Sequence, residues 1–356
     1  WLQDEVLEAG GKERRVVYQP LGVIFSIMPW NFPFWQVFRF AIPSLFAGNG
    51  SLLKHASNVT GCALAIEDTF KNAGLPASVF RTVIADHETV AGIVASNLIA
   101  GVSLTGSTEA GKSVGELAGR NLKKVVLELG GSDPFIVLED ADLDKTAEQA
   151  TTGRFLNCGQ SCVAAKRFIV TESVVDDFVP KFVANVKGKV LGNPVEEETD
   201  IGPLVNKEAV DQIENQVNDA VDKGATILTG GKRPEGKGFF YKPTIIINTT
   251  PEMKVVKEEV FGPVAPIIVV ANEEEAIKVA NATRFGLGGS VWTKDIERGK
   301  RIARRLECGC TFVNSFVKSD PRVPFGGIKA SGIGRELSKY GLREFVNVKA
   351  INVYEP

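Results

Sequence analysis

Three short stretches of the sequence carry side chains able to do covalent chemistry. Asn157-Cys158-Gly159-Gln160-Ser161-Cys162 sets two thiols at a glycine-bearing junction between the apparent end of a helix and the next strand, where backbone can approach a ligand and a nucleophile fits. Taken alone, Cys162 is equally a small buried hydrophobe, the usual state of a free cysteine. Glu128-Leu129-Gly130-Gly131 puts a carboxylate at the carboxyl end of a strand, where open parallel sheets bind ligands, with glycines clearing space beside a candidate base. The same carboxylate could instead cap the segment that follows. Pro29-Trp30-Asn31-Phe32-Pro33 is a rigid turn in which Asn31 can offer an amide N–H pair to an oxyanion, although an asparagine in a turn needs no function. Cys158 lies four residues before Cys162, so a helical segment would put both thiols on one face and make a reversible disulfide conceivable.

Other chemistries have less to work with. His55 and His87 are the only histidines, and Cys308-Gly-Cys310 lacks a matching second pair, which argues against a histidine-centred triad and against a metal. With 41 Lys and Arg against 43 Asp and Glu, the net charge is −2 and the pI about 6.0, so no broad basic field invites nucleic acid. Five cysteines, an odd number without framework spacing, fit a reducing compartment and by default the cytoplasm. The start, Trp1-Leu2-Gln3-Asp4-Glu5, has no basic region ahead of an apolar run, and no window reaches about 18 uninterrupted apolar residues, so neither secretion nor a membrane span is expected.

Gly106-Ser107-Thr108-Glu109-Ala110-Gly111-Lys112-Ser113 matches the phosphate-loop pattern of nucleotide hydrolases, and Phe135–Leu138 ending in Glu139-Asp140 imitates its acidic partner strand. A P-loop nucleotide hydrolase is therefore a rival reading. The loop interior, however, holds helix formers and no extra glycine, while Ser107 or Thr108 suits an N-cap. A helix that starts this early leaves a strand–turn–helix whose N-terminal amides and Ser107 hydroxyl face a pyrophosphate, with Gly106 and Gly111 allowing close approach. No G-x-G-x-x-G is present.

The elements that must carry these residues alternate. Apolar runs at Val23–Met28, Ser51–Lys54, Phe80–Ile84, Ile99–Leu104 and Val125–Leu129 are separated by helix-like stretches near 35–47, 60–73, 88–96 and 109–119, a βαβ rhythm that predicts a doubly wound parallel sheet. A second α/β unit follows, with strands at Phe135–Leu138, Phe168–Val170, Ile227–Leu228, Thr244–Ile247, Ala265–Val270 and Thr311–Asn314 and helices near 141–156, 174–189, 206–223, 273–283 and 296–306. The 356 residues suffice for roughly two domains. The expected division is an oligomerisation strand region at 1–20, a cofactor domain at 21–130, a catalytic domain at 131–330, a return to the cofactor domain at 331–345, and an oligomerisation strand at 346–356. Val346–Val353, short and β-branched, is left over once both cores are assigned and is expected to pair with another subunit, giving a homodimer or homotetramer.

Together these pieces resemble the aldehyde dehydrogenase superfamily, in the family's order and over essentially the whole chain. Pro29–Pro33 resembles its asparagine turn, Lys54 its cofactor lysine, Thr105–Gly111 its pyrophosphate turn, Glu128–Gly131 its general-base segment and Asn157–Cys162 its nucleophile motif. Glu258-Glu259-Val260-Phe261-Gly262-Pro263 resembles the segment that fixes the nicotinamide ribose, and Pro324-Phe325-Gly326-Gly327 the aromatic wall near the aldehyde. The resemblance implies that Cys162 attacks the aldehyde as thiolate and that Asn31 and the Cys162 N–H hold the oxyanion. Hydride then passes to nicotinamide, and Glu128 activates the water that hydrolyses the thioester. It further implies cofactor contacts from Trp30, Lys54, Ser57, Gly106, Ser107, Gly111, Leu129, Glu259 and Phe261.

Three residues after Lys54, where members favouring NAD commonly present a glutamate, this chain has Ser57, so NADP is expected over NAD. Leu127–Pro134, with Ser132-Asp133, and Asn314–Pro324 are most similar to family members acting on succinate semialdehyde. The resemblance then implies substrate contacts from Trp35, Arg39, Ser161, Ser319 and Phe325, with Arg39 on the substrate carboxylate, unless it merely sits on a solvated helix face. Leu156 stands where some members carry a second arginine. Other aldehydes, and a non-catalytic relative, are the remaining alternatives. The chain also begins well inside the family pattern, and loss of the preceding elements would leave an apolar sheet face and an open edge exposed.

Overall fold

The computed structural model describes residues 1–9 and 12–354. The chain divides into two units, the first built from Trp1–Leu129, Ser319–Gly327 and Gly332–Pro356, the second from Gly130–Lys318 and Ile328–Ser331. The first segment of unit 1 runs β1 (Glu5–Ala9), β2 (Lys12–Pro20), β3 (Val23–Met28), α1 (Trp35–Phe46), β4 (Gly50–His55), α2 (Thr60–Asn72), β5 (Phe80–Thr82), α3 (His87–Ala95), β6 (Ile99–Thr105), α4 (Thr108–Arg120) and β7 (Lys124–Glu128). Unit 2 continues with β8 (Asp133–Val137), α5 (Leu143–Phe155), β9 (Ala165–Thr171), α6 (Glu172–Lys187), α7 (Lys207–Asp222), β10 (Thr226–Thr229), β11 (Thr244–Ile247), α8 (Lys254–Lys257), β12 (Val264–Val270), α9 (Glu273–Asn281), β13 (Gly288–Trp292), α10 (Ile296–Ala303) and β14 (Cys310–Val313). Unit 1 closes with β15 (Gly332–Ile333), α11 (Ser338–Leu342) and β16 (Val346–Asn352).

The main sheet of unit 1 has the order β15-β7-β6-β3-β4-β5, parallel except for β15. Its strands are apolar on both faces because each face has its own helical cover. Ile24, Leu53 and Val126 point toward Val37 and Ala41 of α1 and Ala63 and Ile66 of α2. Phe25, Val102 and Leu127 belong to the opposite core with Val90 and Val94 of α3 and Val114 and Ala118 of α4. Neighbours such as Ile24 and Phe25 thus serve opposite cores, as the two-residue period of a strand requires. This is the doubly wound α/β layer that the alternating pattern predicts.

Unit 2 repeats the logic with the order β10-β11-β12-β9-β8-β13-β14, parallel except for β10. Phe135, Val137, Phe168 and Val170 face one core, which includes Phe178 and Phe182 of α6, and Ile136, Leu138 and Ile169 face the other, with Ile277 and Ile302. The sequence reading leaves out β13, because Gly288 and Gly289 carry poor strand propensity. Glycine is required there by contact: a Cβ at Gly288 would stand 2.5 Å from Asp133 Oδ2, and one at Gly289 would stand 3.1 Å from Pro134 Cγ. Asp133 Oδ1 accepts the Gly288 N–H at 3.0 Å, tying β8 to β13, and burial pushes the Asp133 carboxyl up to about 6.

A small antiparallel sheet, β1-β2-β16, completes unit 1. The expectation that Val346–Val353 awaits an outside strand is corrected in one respect, since Val346–Asn352 pairs with Arg14–Pro20 of its own chain. Val348 and Ile351 on β16 are nonetheless exposed. No helix among the described residues is long and apolar enough to cross a membrane.

Candidate active site

In unit 1 the candidate residues gather at the carboxyl ends of neighbouring parallel strands. The register pairs Met28 with His55, Ile27 with Lys54 and Leu104, and Thr105 with Glu128. The asparagine turn after β3, Lys54 near the end of β4, the Gly106–Ser107 turn after β6 and Glu128 at the end of β7 therefore lie along one edge. Strand order reverses between β3 and β6, the switch point where such sheets open a ligand crevice. His55 stabilises the asparagine turn. Its Nδ1 lies 3.1 Å from the Met28 carbonyl and its Nε2 lies 2.9 Å from the Pro33 carbonyl, so the ring bridges the end of β3 and the turn. Gln36 Nε2 donates to Asn31 Oδ1 at 3.1 Å, which fixes the plane of that amide.

The early helix start removes the P-loop geometry. α4 begins at Thr108 with Ser107 as N-cap, its Oγ accepting the Ala110 N–H at 3.2 Å, so Gly111 and Lys112 are already helical. Lys112 is exposed and pairs with Glu109 at 2.9 Å. Gly111 is needed for packing, since a Cβ there would stand 2.4 Å from Leu129 Cδ2. Lys54 is half-buried and forms no ion pair among the described residues, and Ser57, exposed, opens the short turn that follows β4. An uncompensated ammonium, a hydroxyl and helix-terminal amides with no carboxylate at position 57 are a donor set that fits a phosphorylated dinucleotide.

Glu128 is 3% exposed, and among the described residues neither carboxylate oxygen has a hydrogen-bond partner. Burial, and next the neighbouring Glu336 carboxylate, hold its carboxyl well above the usual range, while Arg39 and Arg335 pull it back. A carboxylate kept this reluctant to ionise is suited to taking a proton from water. Gly326 is the residue that lets it fit, since a Cβ there would stand 2.4 Å from Glu128 Oε1. Arg39 is not on a solvated helix face. It is 3% exposed, its Nε donates to Glu336 in a buried ion pair, and its guanidinium lies 4.4 Å from the centre of the Phe325 ring. Phe325 and Glu336 are joined by paired backbone hydrogen bonds. Trp35 Nε1 donates to Ser319 Oγ at 3.2 Å, linking two of the expected substrate contacts.

In unit 2 the candidates lie at the amino ends of strands. Gly130-Gly131 precedes β8, Cys162 precedes β9 and Glu259-Phe261 precedes β12, and these three strands are adjacent. Cys162 and Phe261 are half-buried, Ser161 is buried, and Gly131 N–H donates to Glu259 Oε1 at 3.0 Å. The premise of a helix through Cys158 and Cys162 does not hold. Asn157 and Cys158 have φ of 51° and 58°, a left-handed excursion that ends α5 and turns the chain. The Cys158 thiol is buried, donates to the Gly202 carbonyl, and is pushed up by burial.

Four residues that touch these sites were not singled out from sequence: His55, Glu336, Arg154 and Lys166. Arg154 is fully buried and donates to the carbonyls of Ala165 (3.1 Å), Val260 (3.0 Å), Gly159 (3.4 Å) and Gly262. Burial lowers its guanidinium to about 9. Lys166, 1% exposed, donates to Ser161 O and Cys162 O. The available signal was a Lys-Arg pair opening an otherwise apolar strand, because cations go so deep only when something holds them. Among the described residues no group of His, Cys, Asp and Glu could hold a metal ion.

Known proteins resemble this chain over almost all of its length. The pattern of the aldehyde dehydrogenase family matches residues 2–351. A succinate-semialdehyde dehydrogenase [NADP(+)] of Mycobacterium tuberculosis is 50% identical over 334 residues, covering 94% of this chain and 73% of the relative. The succinate semialdehyde dehydrogenase [NAD(P)+] Sad of Escherichia coli is 48% identical over 336 residues, with the same two coverages of 94% and 73%. The crystal structure of a succinic semialdehyde dehydrogenase from Streptococcus pyogenes in complex with NADP+ superposes with a TM-score of 0.96 at 39% identity, covering 100% of this chain and 78% of that one. Two wound sheets, a buried carboxylate and a match over almost every residue meet in one conclusion: the chain belongs to the aldehyde dehydrogenase family.

Proposed function

We propose that this chain oxidises succinate semialdehyde, or a similar semialdehyde, to the carboxylate with NADP, NAD being the alternative acceptor, through a thioester on Cys162. The observation that supports this most is the shared edge of unit 1, where the Asn31 turn, Lys54, the Gly106–Ser107 turn and Glu128 end adjacent parallel strands. The names of the half-identical relatives favour the substrate and the cofactor.

Cys162 forms the bond to the aldehyde carbon, and the Asn31 amide and the Cys162 N–H receive the oxyanion. When bound, NADP supplies the hydride acceptor. Glu128 takes the proton of the water that releases the acid from Cys162. Trp30, Lys54, Ser57, Gly106, Ser107, Gly111, Leu129, Glu259 and Phe261 bind the cofactor, Glu259 through its ribose. Trp35, Arg39, Ser161, Ser319 and Phe325 serve the substrate. Arg39, already paired with Glu336, acts on the distal carboxylate through its charge, and Ser319 through its hydroxyl. The exposed apolar edge of β16 is the proposed contact of a homodimer or homotetramer. The odd cysteine count favours the cytoplasm.

The test is steady-state oxidation of succinate semialdehyde with each cofactor by wild type, Cys162→Ala and Ser57→Glu. Loss of at least about 10³-fold in kcat for Cys162→Ala and a drop of about tenfold or more in the NADP to NAD ratio of kcat/KM for Ser57→Glu are expected. Substantial activity in Cys162→Ala would overturn the thioester, and an unchanged ratio would remove Ser57 from cofactor choice.

A further inference from the structure

Two buried cations flank the nucleophile turn, Arg154 eight residues before Cys162 and Lys166 four residues after it. Taking such charges out of water is costly unless their donors are all used, so what they touch is informative. Arg154 donates to four backbone carbonyls, two in the turn and β9 and two in the segment before β12. Lys166 does something different. Its Nζ donates to Ser161 O at 2.8 Å and to Cys162 O at 2.7 Å, and lies 3.4 Å from Glu259 Oε1. Glu259 is fixed in turn by the Gly131 N–H, and Gly131 must be glycine because a Cβ there would stand 2.7 Å from Cys162 O.

Ser161 C=O and Cys162 N–H are the two ends of one peptide group. A cation on the oxygen draws charge through the conjugated amide, so the N–H at the other end becomes a stronger donor and its plane is fixed. We propose that Lys166 is a positioning residue that orients and polarises the Ser161–Cys162 peptide, strengthening the Cys162 N–H that receives the oxyanion, and ties that peptide to the Glu259 carboxylate. This rests on Cys162 being the nucleophile, as proposed above. Lys166 itself touches neither substrate nor cofactor in this account. Its effect is confined to steps that develop negative charge on oxygen.

Two reactions of the same thiol separate this role from a merely structural one. Transfer of the acetyl group of p-nitrophenyl acetate to Cys162, without cofactor, joins the thiolate sulfur to the acyl carbon and expels p-nitrophenolate through a tetrahedral oxyanion. Water then releases acetate and restores the thiol. Alkylation by iodoacetamide displaces iodide in one step and develops no oxyanion. Lys166→Met is expected to slow ester cleavage and aldehyde oxidation by about 10–100-fold in kcat, with KM changed less than about threefold, while alkylation stays within about twofold of wild type. If Lys166→Met fails to fold, Lys166→Gln, which also lacks the charge, is read in the same way. Ester cleavage kept within twofold of wild type in the neutral variant, or alkylation falling in step with it, would overturn the proposal. Failure of the underlying reading is distinct, because Cys162→Ala would then still cleave the ester and oxidise the aldehyde.

Discussion

The two units put chemistry at opposite ends of the same kind of sheet. In unit 1 the side chains of interest lie at or just after the carboxyl ends of β3, β4, β6 and β7; in unit 2 they precede the amino ends of β8, β9 and β12. A carboxyl end leads straight into a turn and a helix N-terminus, so the backbone itself supplies donors, as Ser107 and α4 do. At the amino ends, Arg154 and Lys166 gather the backbone carbonyls of the segments that lead into the strands. The first arrangement is local and tolerant. The second depends on buried charge, so removing one charge is expected to disrupt it.

The largest effect should follow from breaking the second arrangement. Arg154→Met strands at least three buried carbonyls and is expected to cost about 3 kcal/mol, read as a lowered denaturant midpoint. Lys54→Met, on the tolerant edge of unit 1, should cost less than about 1 kcal/mol while weakening NADP binding at least tenfold. Equal losses of stability would erase the contrast between the units.

Next comes the buried cluster of Arg39, Glu336 and Glu128 in unit 1. Arg39 pulls the Glu128 carboxyl down against burial and Glu336, so Arg39→Ala should let it rise further. A base must be ionised to act, so the acid limb of the kcat/KM profile should move to higher pH. Glu336 would also lose the partner that opposes its burial. Its folded-state affinity for a proton then rises, and stability should fall as pH increases through the carboxyl range, by up to about 3 kcal/mol at neutrality. KM for succinate semialdehyde should rise far more than for an uncharged aldehyde. A profile that stays in place would detach Arg39 from the base, and equal changes in KM would detach it from the substrate carboxylate.

The smallest effect tests the discarded P-loop. Lys112→Ala removes an exposed i,i+3 pair on α4 and should change stability by less than about 0.5 kcal/mol and kcat by less than twofold. Loss of activity would restore a phosphate role to that lysine.

What was legible in the sequence follows the same division. The wound sheets, the early start of α4 and the strands carrying Lys54 and Glu128 could be read because apolar periodicity and capping are local. Strand β13 could not, since Gly288 and Gly289 answer to Asp133 and Pro134 about 155 residues away. The left-handed step at Asn157 and Cys158 was hidden because neither residue type demands it. Arg39 suggested a charged contact, but its partner Glu336 lies 297 residues on, and the ligands of Arg154 are carbonyls that every residue owns. Contacts of that kind leave no spacing to count.

Unit 1 is assembled from three separated pieces of chain, whereas unit 2 is nearly one continuous run. On the ribosome, β7 emerges with Glu128 at its end, yet Phe325, Gly326, β15 and Glu336 follow some two hundred residues later. The carboxylate therefore meets water until those later segments join it, and only then acquires the dry surroundings on which its basicity depends.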